Sequence, residues 1–272
     1  MQPIESYEVP QRPRSGPALF DFVTEGPRVM MEASLLALSW VPLRSNAPRG
    51  DDHPVMVLPG FLGGDGSTMA LRRFLDSLGY TSLPWLQGQN LGRLELLEGA
   101  MRRFYRAHQA SGVKVSLIGQ SLGGVFARKI AQTFPEAVRC VITLGSPFAA
   151  QDDDVAHPIV SSLFESLSGG SVEDLRAQAD AYDVSAPLSM PTTAVYSRRD
   201  GVVDWRACIG AESVLSENVE VMGSHSGMAI SPDVLHVVAD RLAQRPEDWQ
   251  PFDRSQGCRA LIYPKPKANN RP

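Results

Sequence analysis

Cysteine is scarce in this chain of 272 residues: Cys140, Cys208 and Cys258 stand far apart, with no CxxC pair. That spacing excludes both a disulfide framework and a zinc-ligand pattern, and leaves the thiols as small apolar side chains. Excess charge is also missing. With 26 basic against 30 acidic residues the formal net charge is −4, so no basic footprint points to nucleic acid. No apolar run is long and clean enough to be a confident membrane span. The first residues, "MQPIESYEVPQRPRSGP", carry no apolar signal-peptide core, which makes a cytoplasmic location the expectation. Internal repeats and low-complexity linkers are absent as well.

The remaining composition, 43% hydrophobic and 21% charged, is that of a soluble globular protein with a sizeable core. From Pro54 onward, short apolar runs alternate with amphipathic helical stretches. "PVMVLPG", "YTSLPWL", "VKVSLIG", "VRCVITLGSP", "MPTTAVYS" and "VEVMG" read as strands; the helical stretches between them close at Gly79, Gly112 and Pro135. This alternation predicts an α/β fold with a mostly parallel central sheet and helices on both faces. Ligands of such sheets bind beyond the carboxyl ends of the strands, where the loops after Leu58, Ile118 and Leu144 emerge. The rhythm breaks over residues 148–188, an acidic and helical stretch expected to form a small cap insertion. The resulting division is an N-terminal extension at 1–53, a core at 54–147 and 189–248, the cap at 148–188, and a C-terminal tail at 249–272, of which the last residues, "YPKPKANNRP", are polar and proline-rich.

Within the extension, "RVMMEASLLALSWVPL" (residues 28–43) is apolar nearly all round a helix, interrupted by Glu32, Ser34 and Ser39. The simplest expectation is a helix buried against the domain. A helix lying on a membrane or lipid surface, or a dimer contact, is the alternative.

The chemistry concentrates in "VSLIGQSLGGVF", where Ser121 stands between Gly119 and Gly123 as a strand becomes a helix. A G-x-S-x-G in that context is a nucleophile elbow, whose small neighbours permit a sharp turn that exposes the hydroxyl. A serine needs a base. Of the five histidines, His225 lies in a Gly- and Ser-flanked loop after a strand. His53, His108, His157 and His236 fall before a strand, near a helix end, in the cap and within the last helix. The acid that fixes the base's tautomer is assigned to Asp200, directly after a strand; Asp204 is the runner-up, better suited to capping a turn. For the oxyanion, one donor is the backbone N–H of Leu122. The other comes from the loop "VLPGFLGG", with Phe61 the first choice and Leu62 the second.

The motifs "VLPGFLGG", "GQSLGG", "TLGSPF", "SRRDGVVDW" and "GSHSGM", in that order, resemble the α/β-hydrolase superfamily, and within it the bacterial lipases and esterases. The resemblance spans about 55–245; the cap matches no named pattern, and the family's first strands are not evident before Val55. It implies a serine hydrolase acting on carboxylic esters, with a small-molecule or lipid ester as partner and neither metal nor organic cofactor. An acyltransferase or thioesterase with the same residues, and a non-catalytic binding protein of this fold, are the alternatives.

Overall fold

The computed structural model describes residues 17–149, 156–157, 161, 183–255, 257 and 259–264. The strands are β1 (Pro54–Leu58), β2 (Thr81–Leu83), β3 (Val115–Gln120), β4 (Val138–Leu144), β5 (Thr192–Ser197) and β6 (Ser216–Val221). They form one six-stranded sheet in the order β2-β1-β3-β4-β5-β6, and every neighbouring pair is parallel. The helices are α1 (Leu19–Val23), α2 (Glu25–Asn46), α3 (Met69–Leu78), α4 (Leu94–Ser111), α5 (Leu122–Thr133), α6 (Pro232–Leu242) and α7 (Arg259–Ile262).

The sheet is buried on both faces, which is why its strands read as apolar runs rather than alternations. Residues of the central strands β1, β3 and β4 feed two cores. Val55, Val57, Ile118, Ile142 and Val219 pack with α3 and α6 on one side. Met56, Leu58, Leu117 and Val141 pack with Phe104 of α4 and Phe126 and Ile130 of α5 on the other. Helices α3 and α4 stop where the sequence places their stops, at Gly79 and Gly112, both in the left-handed conformation that glycine adopts without steric cost.

Register brings the strand ends level. Leu58 pairs with Gly119, Gln120 with Leu144, Leu144 with Val195 and Ser197 with Val221. The loops that follow β1, β3, β5 and β6 therefore emerge together at the carboxyl edge, and they carry Phe61, Ser121, Asp200 and His225.

One expectation is corrected. The apolar segment at 28–43 does form a helix, α2, and packs on the core through Leu36, Trp40 and Leu43. It is not buried, however: Met30, Leu38 and Val41 are 71%, 82% and 73% exposed. Its buried side carries two carboxylates, Glu25 and Glu32. The C-terminal tail expected at 249–272 also carries packed side chains. Trp249, Phe252 and Tyr263 are buried, and Phe252 and Tyr263 meet edge to face at 4.9 Å beside His236 of α6. These aromatic anchors fasten the chain across α6, and a hydropathy reading dominated by the polar residues between them passes over them. The expected cap lies almost wholly outside the described residues, as do Ile159, Val160, Leu163, Phe164 and Leu167, its candidate acyl-pocket side chains.

Candidate active site

Ser121 sits at the turn from β3 into α5 with φ 50° and ψ −124°. This is a sparsely populated conformation for a residue with a Cβ, and such strain persists only where the surroundings over-determine it. Its N–H donates to Leu144 O (2.8 Å) and its carbonyl accepts from Gly124 N–H (2.9 Å). The flanking glycines are steric requirements. A Cβ at Gly119 would lie 2.2 Å from Gly123 O, and one at Gly123 2.2 Å from Leu58 O. The serine hydroxyl thus stands at the N-terminus of α5, whose dipole favours negative charge there.

The loop after β1 lies against Ser121, since a Cβ built on Gly60 would come within 3.1 Å of Ser121 Cβ. In that loop the N–H of Leu62 is donated to Asn90 O (2.8 Å) and that of Gly63 to Gly60 O (3.0 Å). Leu62, the second choice for an oxyanion donor, thus has its N–H engaged by Asn90. Asn90, which sequence reasoning missed, braces this loop from a fully buried position. Its Nδ2 donates to Pro59 O (2.8 Å), its N–H donates to Gly63 O (2.8 Å), and its Oδ1 accepts from Gly92 N–H (3.1 Å). Only the dense loop "GQNLGR" around it could have signalled such a role.

The structure brings Asp200 and His225 together. Asp200 Oδ2 lies 2.6 Å from His225 Nδ1, with both residues buried. The other carboxylate oxygen, Oδ1, accepts the N–H groups of Val202 (2.9 Å) and Val203 (2.8 Å). Burial pulls the imidazole pKa down, but the charge and hydrogen bond of Asp200, with a smaller contribution from Glu25, leave it raised above 6.5. Asp204 is elsewhere: it caps the short helix at Trp205–Cys208 by accepting Arg206 N–H (2.9 Å). The histidine loop is held to the elbow by Gln120, whose Nε2 donates to the carbonyls of His225 (3.1 Å) and Ser226 (3.4 Å). Among the described residues no hydrogen bond joins Ser121 Oγ to the imidazole; in unliganded sites that contact is often long and tightens with substrate.

The other histidines have structural partners. His53 is buried between Asp51 and Ser116 Oγ (2.8 Å), and His108 contacts Val113 O (2.9 Å) near the end of α4. His157 stacks on Phe22 at 3.7 Å, and His236 packs against Phe252 and Tyr263. No group of three or more metal-ligating side chains occurs among the described residues.

A parallel sheet of this order, with the serine on the β3–α5 elbow and the acid and histidine loops following β5 and β6, defines the α/β-hydrolase fold, and the chain has that fold. No family model matches it. Among curated proteins it is similar to a carboxylesterase of Bacillus subtilis (strain 168), 23% identical over 192 residues, covering 66% of this chain and 74% of that protein. Among solved structures, Aspergillus fumigatus lipase B superposes with a TM-score of 0.59 at 17% identity, covering 77% of this chain. The chain spans only 56% of that lipase. A monoacylglycerol lipase of Paleococcus ferrophilus gives a TM-score of 0.50 at 14% identity, covering 72% of this chain and 96% of that one. The resemblance read from the motifs is borne out at the level of the fold.

Proposed function

We propose that this protein hydrolyses carboxylic esters through an acyl-enzyme at Ser121. The observation that carries the reading is the strained serine on its glycine-flanked elbow, tied through Gln120 to a loop whose histidine is already paired with a buried aspartate. Similarity to a carboxylesterase and to lipases supports ester hydrolysis in general.

In the proposed mechanism Ser121 Oγ attacks the ester carbonyl while His225 Nε2 takes its proton. Asp200 keeps the proton of Nδ1 in place and stabilises the imidazolium. The tetrahedral oxyanion is met by the N–H groups of Phe61 and Leu122, preorganised by the braced loop and by the start of α5. His225 then protonates the departing alcohol, and water, deprotonated by the same imidazole, releases the acid and restores Ser121. The geometry that favours this reaction is electrostatic: donors and charges are fixed in place before the substrate arrives.

A second observation bears on the substrate. The outward side of α1 and α2 presents Phe20, Met30, Met31, Leu35, Leu38 and Val41 to solvent, while the single charge between Arg28 and Arg44, Glu32, points inward. Helix α2 has 22 residues, about 33 Å, yet no helix among the described residues is long and apolar enough to cross a membrane. An apolar face of this kind suits a lipid surface, and a lipid ester is the substrate class that such a surface would present.

The direct test is hydrolysis of a p-nitrophenyl ester series from acetate to palmitate by wild type and Ser121→Ala. Loss of turnover in the variant is expected. Unchanged turnover in the variant, or a wild type that neither cleaves any ester nor is labelled by a fluorophosphonate, would overturn the reading.

A further inference from the structure

Asp200 and His225 sit on loops after different strands, and a productive pair needs those loops held in register. The buried side of α2 meets both. Glu25 Oε1 accepts the N–H groups of Gly201 and His225, each at 3.1 Å, and its Oε2 accepts that of Ser226 (3.0 Å). One carboxylate therefore spans the residue after the acid and the backbone of the base itself. Arg28 completes its coordination, with Nη2 at 2.8 Å from Oε1. About two turns further along the helix, Glu32 Oε1 accepts Ser224 N–H and its Oε2 accepts the Ser224 hydroxyl, both at 2.6 Å. Ser224 Oγ in turn accepts Gly227 N–H (3.1 Å). The approach is tight: a Cβ at Gly227 would fall 1.5 Å from Glu32 Oε2.

Buried carboxylates are costly unless matched by donors, so a helix that inserts two of them beside a histidine loop does so against its own desolvation. Packing α2 onto the core needs neither; Leu36, Trp40 and Leu43 already serve that purpose. Among the donors they engage are the backbone N–H groups of Ser224, His225 and Ser226, three successive residues centred on the base.

We propose that Glu25 and Glu32 are positioning residues of the reaction: together they clamp the acid and histidine loops in register, and Glu25 adds a second negative charge behind the imidazolium. The proposal rests on the triad reading of Ser121, Asp200 and His225. The charged groups around the clamp are Arg28 and the two glutamates on α2, Asp200 after β5, and Asp233 in the first turn of α6. Burial raises the pKa of Glu32, the two hydrogen bonds from Ser224 lower it, and Asp233 and Glu25 raise it, leaving it above 4.5. Glu25, held by three backbone donors and Arg28, is the charge that reaches His225.

The test follows labelling of Ser121 by a fluorophosphonate against pH, with p-nitrophenyl butyrate turnover in parallel, in wild type, Glu25→Gln and Leu36→Ala. A misplacement of about 1 Å can cost 10²-fold, so Glu25→Gln is expected to label roughly 10- to 100-fold more slowly. Its acid limb should also move to lower pH, because the imidazolium has lost a neighbouring charge. Leu36→Ala, which loosens the same helix while leaving both carboxylates and their donors in place, should lower the thermal midpoint and leave the limb in place. A limb in Glu25→Gln that does not move, in a variant that folds and labels, overturns the proposal while the triad stands. Absence of labelling in wild type overturns both. Should Glu25→Gln fail to fold, Ser224→Ala decides. It removes the hydroxyl that Glu32 grips, about tenfold slower labelling is expected, and an unchanged rate overturns the clamp.

Discussion

In the proposed mechanism, replacing Asp200 by asparagine isolates what the acid does, because the structure dictates how the amide must lie. Oδ1 of Asp200 receives two backbone N–H groups, from Val202 and Val203, and can only be replaced by the amide oxygen. The amide NH2 then occupies the place of Oδ2, 2.6 Å from His225 Nδ1. A donor facing Nδ1 forces that nitrogen to accept, so the ring proton moves to Nε2, the atom that must receive the proton of Ser121. The nucleophile then has no base. The wrong tautomer in an otherwise intact triad lowers kcat by about 10⁴-fold, equivalent to roughly 5.5 kcal/mol of transition-state stabilisation. The assay is steady-state hydrolysis of p-nitrophenyl butyrate at saturating ester, with Asp204→Asn as the control. Asp204 only caps a short helix and contacts Arg206, so its variant should keep wild-type turnover. A loss of about tenfold or less in Asp200→Asn would refute the tautomer argument, and a larger loss in Asp204→Asn would reassign the acid.

Three further outcomes are expected. Because the His225 pKa is raised by Asp200 and Glu25 against the pull of burial, the acid limb of kcat/KM for the free enzyme should lie above pH 6.5. The imidazolium's contribution to stability runs the other way: it is present below that value and is lost as pH rises through the raised pKa, so pH-dependent melts and the rate profile should show opposite trends there. A limb below pH 6.5 would contradict the pairing. Asn90→Ala strips the oxyanion loop of its side-chain bonds at Pro59 O and Gly92 N–H, and should cost on the order of 1–3 kcal/mol for each group left buried without a partner. Chemical denaturation measures that loss, and turnover should fall with it. Finally, wild type should co-sediment with lipid vesicles, and replacing Leu35 and Leu38 by glutamine should release it; a wild type that stays in the supernatant would refute the lipid-surface reading.

How much of this was legible beforehand divides along the range of the interactions. The sequence by itself determined the elements and their order. Apolar strands and amphipathic helices carry their periodicity locally, and Gly79 and Gly112 mark helix ends through backbone freedom that belongs to the residue itself. It also marked the elbow, because Gly119 and Gly123 must be small wherever a serine is bent between a strand and a helix, and it ranked Asp200 over Asp204. Tertiary structure alone decided the rest. Asn90 and Gln120 are ordinary polar residues until the fold sets them against Pro59 and His225. Phe252 and Tyr263 look like part of a C-terminal tail until α6 supplies the surface they cover. Helix α2 shows the limit most clearly. Its apolar composition predicts burial, and Glu32 reads as an interruption; in the fold the two glutamates face inward, beside Leu36, to backbone N–H groups of the Asp200 and His225 loops, and Met30, Leu38 and Val41 face out. A carboxylate's preference for burial depends on donors drawn from residues nearly two hundred positions away, and no local pattern records them.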